Sequence, residues 1–353
     1  MPFRFRPRML KARLILPALL AAAVAACAEA PKVVTPPPPP PAPTVSLSPR
    51  LIEMASAYRH YVNNTTAIAP AFVDGDAVAT SLRTGATYEP QQLAKGAIAY
   101  GAVVALQDRT FVEGVRVYAK DATSRQQVAY EILKDPAYAV GLTGSASAAG
   151  LVISALGNDA QKLYDNGKAI KQAAYDIQKQ PWSKADVAGR EARLANAKSV
   201  SAAVMTGDVA ETARLQQAST AGSLGAVPAA AAAPPYTPTV VRALAVAALA
   251  VLGEAGDANV STVMGLITEP NVGMCMNMSK LNLYQCLAVA RPHYEDVFCL
   301  GQHAMMDTGR CMIRATGLPE PYEPRFVPSQ ESINKGMQTK KAPAKKRPVK
   351  KKG

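Results

Sequence analysis

Apolar and polar positions along this chain repeat with a helical period, and no stretch sustains the two-residue alternation of a half-buried strand. Ser48-Pro49 reads as a helix start, a hydroxyl N-cap followed by proline in the first turn. Leu51, Met54, Ala55, Tyr58, Tyr61 and Val62 then follow at helical spacing. Similar patterns predict helices over 90–107, 110–120, 122–134, 143–156, 158–180, 183–205 and 207–219. Within 158–180, Leu163, Tyr164, Ala169, Ala173, Ala174 and Ile177 make one apolar stripe against a Lys and Gln face. Thr239–Gly253 is strongly apolar, but Arg242 interrupts it and Gly253-Glu254 ends it. It reads as a buried core helix, because a membrane span needs about 20 apolar residues. The expected fold class is all-α, a helical bundle or irregular helical array. Few aromatics (6%) and abundant alanine agree with packed helices.

The N-terminal residues follow a different pattern. Arg4, Arg6, Arg8, Lys11 and Arg13 precede a 13-residue apolar stretch, Leu14–Ala26, and Cys27 follows directly. A basic start, a short apolar segment and a small-residue end make residues 1–26 a signal peptide. Val24-Ala25-Ala26-Cys27 resembles the lipobox of bacterial lipoproteins, with valine where leucine is commoner. The resemblance implies cleavage before Cys27 and lipid attachment there through diacyl and amide-linked chains (palmitate), enough buried methylenes for stable anchoring. It also implies sorting to the outer rather than the inner membrane, because Ala28 stands where aspartate would cause retention.

Residues 27–47 then form a lipid anchor and spacer, in which Pro36–Pro41 is a stiff polyproline II run. The expected divisions beyond it are a helical domain over 48–225, an Ala/Pro connector over 226–238, a helical Cys-containing module over 239–318, and a disordered basic tail over 319–353. The net charge of +13 sits at the ends. Residues 1–26 carry five basic side chains and 335–353 carry nine, neither with an acid, so 27–334 has a net charge of −1. The high pI is therefore no sign of a basic face on the folded body.

Cys275, Cys286, Cys299 and Cys311 are spaced C-x10-C-x12-C-x11-C. In an exported chain they are expected to form disulfides, and the close pairs of a zinc site are absent. Using Cys27 for lipid leaves an even number to pair. On one continuous helix Cys275 and Cys286 stand about 16 Å apart, too far to bond. Both nested pairs, 286 with 299 and 275 with 311, are centred on the break at Ala290-Arg291-Pro292-His293. Two antiparallel helices meeting at Pro292 bring them together as rungs, and sequential pairs 275–286 and 299–311 are the rival. The pattern resembles twin-cysteine helical hairpins, which carry C-x9-C on each helix, so both spacings here depart from it. Asp307-Thr308-Gly309 is expected to break the second helix before Cys311.

Catalytic residues are not expected. The three histidines, His60, His293 and His303, belong to no recognised catalytic motif, so the chain reads as a non-enzyme without cofactor or resident metal. An alternative is copper handling: Met274, Met276, Met278, Met305, Met306 and Met312 lie near His293 and His303 in sequence, and thioethers suit Cu(I). An envelope hydrolase comes third. The tail carries Lys340, Lys341, Lys345, Lys346, Arg347, Lys350, Lys351 and Lys352 between Pro and Ala. It resembles linker-histone-like tails, but outside the inner membrane its expected partners are lipopolysaccharide or peptidoglycan rather than nucleic acid. The expected function is a lipid-anchored, periplasm-facing structural or adaptor protein of the cell envelope. Its protein partners are not legible in these residues.

Overall fold

The structure, a computed structural model, describes residues 44–220, 223–225 and 229–323. Cys27, the proline run and the basic tail lie outside these residues. Thirteen α-helices and no strand form among the described residues, so the chain is all-α.

Several helices start as their sequences dictate. Ser48, Glu89, Thr237 and Glu269 accept hydrogen bonds from first-turn amides, with proline at the first helical position of α1 (Pro49–Thr66), α3 (Pro90–Ala105), α9 (Pro238–Val251) and α11 (Pro270–Val289). Asp74, Asp108 and Asp121 cap α2 (Gly75–Ala86), α4 (Arg109–Ala119) and α5 (Ala122–Lys134) in the same way. Each such cap contributes about 1 kcal/mol. The segment expected to be a core helix is one: in α9 every residue from Ala243 to Val251 is buried, while Arg242 reaches the Leu266 carbonyl. One hydrophobic cluster runs from Leu47 to Ile313 and crosses the 226–238 segment.

Two expectations about helix length are corrected. The helices read over 143–156 and 158–180 are one, α6 (Ser145–Ile177), about 50 Å long. Gly157 does not break it, because the space of its missing side chain is filled by Leu318 packed against it. The helix read over 183–205 is shorter. Residues 182–184 form a 3-10 turn, and Val187 and Ala185 then exchange backbone hydrogen bonds with Arg291 and His293. Only after Gly189, at φ +64°, does α7 (Arg190–Ala202) begin. The 207–219 pattern becomes α8 (Val209–Thr220). The sequence reading missed α2, whose Val78, Leu82 and Ala86 recur every four residues and are buried, and the short α10 (Val260–Leu266).

The expected break at Asp307-Thr308-Gly309 is absent. After Pro292 the chain stays helical from α12 (His293–Cys299) through a π-helical stretch, Leu300–Met306, into α13 (Asp307–Thr316). Gly309 lies against the Tyr164 backbone of α6, a close approach that favours keeping the helix intact there. The π stretch also explains the unequal cysteine spacings. Cys275 and Cys286 are 11 positions apart, and 11 α-helical residues at about 100° each return nearly to the same face. Cys299 and Cys311 are 12 positions apart, and the wider π turn takes up the extra residue. Deleting Gln302, which is expected to convert the π stretch to α-helix, should therefore leave both disulfides able to form. A non-reduced peptide map checks this, and scrambled pairs would reject the register argument.

Candidate functional site

Cys275 pairs with Cys311 and Cys286 with Cys299, each at a Cα–Cα distance of 5.7 Å. This is the nested arrangement, and it staples α11 to the α12–π–α13 rod. Helix α11 packs inward through Met276, Lys280, Leu283 and Leu287, all buried. Its outward face carries Met274 (65% exposed), Met278, Leu281 and Val289 (75%). The outer surface of a helix in a globular protein is ordinarily charged. Here the one charged residue of the 20 is Lys280, and it points the other way.

Lys280 is 2% exposed. Its ammonium donates to the Ala86 carbonyl at 2.5 Å and the Ser201 hydroxyl at 2.9 Å, and sits 3.4 Å from the centroid of the Tyr88 ring. It thus ties α11 to the C-terminus of α2, where the helix dipole favours a cation, and to α7. Burial holds its pKa well below the ordinary lysine value, with Glu89 pulling weakly the other way. Between the lowered value and 10.5 the unfolded chain binds the proton that the folded chain does not. Stability from this group therefore rises with pH across that interval, and its cost is full below it. Lys280→Met should flatten this slope relative to the wild type, as read from urea midpoints between pH 7 and 10. An unchanged slope would contradict the burial of the charge.

The turn of the hairpin lines a cleft of about 620 Å³ between α2, the 186–189 loop, α7 and α12. The His293 ring packs against Gly75, with Asp74, Asp76, Asp186, Arg83 and Asn196 also on the walls. The floor is the Asp296–Arg193 pair, at 2.5 Å and with both side chains at least nine-tenths buried. Arg193 also donates to the Leu287 and Ala290 carbonyls, and Arg190 to those of Ala288 and Ala290, so two guanidiniums close the C-terminus of α11. Burial pushes the Asp296 carboxyl up to about 6 even though Arg193 pulls it down. A histidine among carboxylates, one of them with a raised pKa, is an arrangement suited to proton transfer.

The remaining sequence candidates are dispersed. Met276, Met305, Met306 and Met312 fill the core, while Met274 and Met278 face solvent on consecutive turns of α11. His303 pairs with Asp307 at 2.8 Å beside Phe298, and His60 contacts Asn64 on α1. Among the described residues no group of three or more His, Cys, Asp or Glu side chains is arranged to hold a metal. None of their helices is long and apolar enough to cross a membrane. Cys27 and the lysines and arginine of the 340–352 tail lie outside the described residues. Sequence reasoning missed Lys280 and Arg193, and saw in Asp296 only an acid near His293 in sequence. For Lys280 there was a signal, a lone charge in 20 otherwise uncharged residues.

Comparison with protein-family models, curated proteins and solved structures finds no significant match to this chain.

Proposed function

We propose that this protein is a lipid-anchored adaptor of the bacterial cell envelope. It is held at a membrane through Cys27, with the outer membrane favoured, and faces the periplasm. It contacts lipopolysaccharide or peptidoglycan through the basic tail and grips a protein partner with the outward face of α11. The observation that carries the adaptor reading is that face: four exposed apolar side chains, no charge, and a disulfide at each end of the helix holding it rigid. Apolar, Met-containing, charge-depleted patches are the composition of interface cores, so the partner surface is expected to be apolar and uncharged. The lipobox and the paired cysteines support the compartment.

A photo-crosslinking residue at Met278, placed in the full chain in native membranes, tests the contact against one at exposed Val209. One adduct of defined mass at 278 and none at 209, abolished by Leu281→Asp, is the expected result. Cys27→Ser should move the chain from the membrane to the soluble fraction. Equal crosslinking at both positions, or a membrane-bound Cys27→Ser chain, would reject the corresponding half of the proposal.

The cleft at His293 favours a second reading, an envelope hydrolase. It predicts that the purified chain releases soluble fragments from peptidoglycan and that His293→Ala and Asp296→Asn each stop the release. No release by the wild type ends that reading.

A further inference from the structure

We infer that the Cys275–Cys311 disulfide is a thiol–disulfide exchange site for a protein dithiol of the Cys-x-x-Cys class, while Cys286–Cys299 is a structural staple. Two observations distinguish the outer bond, its pocket and the serine beside it. It opens into a surface pocket of about 180 Å³ lined by Thr237, Glu269, Val272, Arg314 and Ala315, which gives an incoming thiolate a path to the sulfurs. Within it, as in the inner bond, the two sulfurs are unequally placed: Cys275 is half-buried and Cys311 is 3% exposed, so attack is directed to Cys275 Sγ. The hydroxyl of Ser279, which donates to the Cys275 carbonyl at 3.3 Å, lies 3.7 Å from Cys311 Sγ and can turn to donate to a thiolate forming there. Charge at the pocket also suits the step. Both Glu269 oxygens are taken by the Asn271 and Val272 amides at the start of α11, and Arg314, paired with Glu320, is the cation on the rim.

The exchange balances as two displacements. A thiolate of the donor attacks Cys275 Sγ, a donor–Cys275 bond forms, and the Cys275–Cys311 bond breaks. Its electron pair leaves on Cys311 Sγ, where a hydrogen bond from Ser279 stabilises the thiolate, and a leaving thiol of lower pKa departs faster. The donor's second thiolate then attacks the donor sulfur of the mixed disulfide. This releases the Cys275 thiolate and oxidises the donor to its own disulfide, with two electrons passed to the chain. The inner pair closes only 13 residues at the hairpin turn, and Cys299 is fully buried, so the hairpin stays closed while the first turns of α11 are released. Met274 and Met278 lie in that released part, so the redox state of the outer bond sets the shape of the α11 face. The exchange itself does not depend on the adaptor reading.

The test uses the full oxidised chain and a Cys-x-x-Cys dithiol protein whose second cysteine is replaced by alanine, which traps the mixed disulfide. The trapped adduct should map to Cys275. In graded dithiothreitol followed by alkylation and peptide mapping, Cys275 and Cys311 should open about tenfold faster than Cys286 and Cys299. Ser279→Ala should slow the outer opening severalfold while leaving the inner rate and the melting temperature unchanged, a pattern that a merely structural serine does not produce. An adduct on Cys311 or on the inner pair, equal opening rates, or an outer rate that follows global unfolding in urea would overturn the inference.

Discussion

Arg193→Leu is expected to lower the unfolding free energy by about 3–5 kcal/mol, the cost of stranding one partner of a buried ion pair. For a folded body of this size that is a drop of roughly 5–9 °C in melting temperature. The substitution leaves Asp296 buried without its guanidinium and leaves the Leu287 and Ala290 carbonyls at the end of α11 without this donor. The pH dependence identifies the cause. Asp296 already titrates at about 6, above its ordinary 3.8, because burial outweighs Arg193. Without Arg193 its folded value rises further. A carboxyl with a raised folded value binds its proton more readily folded than unfolded, so its penalty is full above that value and fades as pH falls towards 3.8. The deficit of Arg193→Leu should therefore be largest at pH 7–8 and smaller at pH 5. Adding Asp296→Leu should recover much of it, since an apolar pair of similar volume can replace a buried ion pair. Chemical denaturation at the two pH values reads both effects. A deficit below about 1 kcal/mol, independent of pH, would mean that the pair is not buried as described.

Gly301→Ala should cost about 3 kcal/mol, at the upper end of overpacking penalties. Gly301 lies in the π stretch where it crosses α6. A β-carbon there would stand 2.5 Å from the Lys171 backbone nitrogen and 2.8 Å from the Gly167 carbonyl oxygen. Neither atom is the movable end of a side chain, so the two helices must separate. Gly167 is as tightly placed, with Met305 Cβ at 2.7 Å and Met306 N at 2.8 Å. Gly141 is the control: a β-carbon there meets nothing within 4 Å, so Gly141→Ala should change stability by less than about 0.5 kcal/mol. Thermal melts of the two variants side by side decide the matter. Equal stabilities would mean that the crossing is looser than the backbone distances require.

The two substitutions act on the same unit from opposite sides, since Arg193 closes the end of α11 and Gly301 seats the partner rod on α6. Both disulfides join these two helices. A variant that separates the rod from α6 can therefore lose the α11 face while keeping its disulfides. Crosslinking at Met278 and a disulfide map are separate readouts for that reason.

Much of the fold was legible because it rests on local chemistry. A cap followed by proline marked the start of α1, and an apolar run broken only by Arg242 marked α9 as core. The nested cysteine pairs followed from the position of Pro292 and the reach of a helix, with the sequential pairing left to be excluded by the structure. The errors fell where a local rule met a tertiary contact. Gly157 and Gly309 look like breaks in one dimension, yet each is a seat for a neighbour, Leu318 in one case and the Tyr164 backbone in the other. The start of α7 was misplaced because residues 185–187 bond to 291–293, about 100 positions away, and no local pattern carries that.

By itself, the sequence determined that the chain is all-α, where its charge is concentrated, and which four cysteines share one hairpin, because period, composition and spacing are properties of a one-dimensional string. Only the tertiary structure decided that the lone charge of α11 turns inward with Met276 while Met274 and Met278 turn outward, that Arg193 meets Asp296, and that a π turn absorbs the extra residue between Cys299 and Cys311. These depend on which surfaces meet across long separations. Burial and close approach are set by the packing partner rather than by the residues alone.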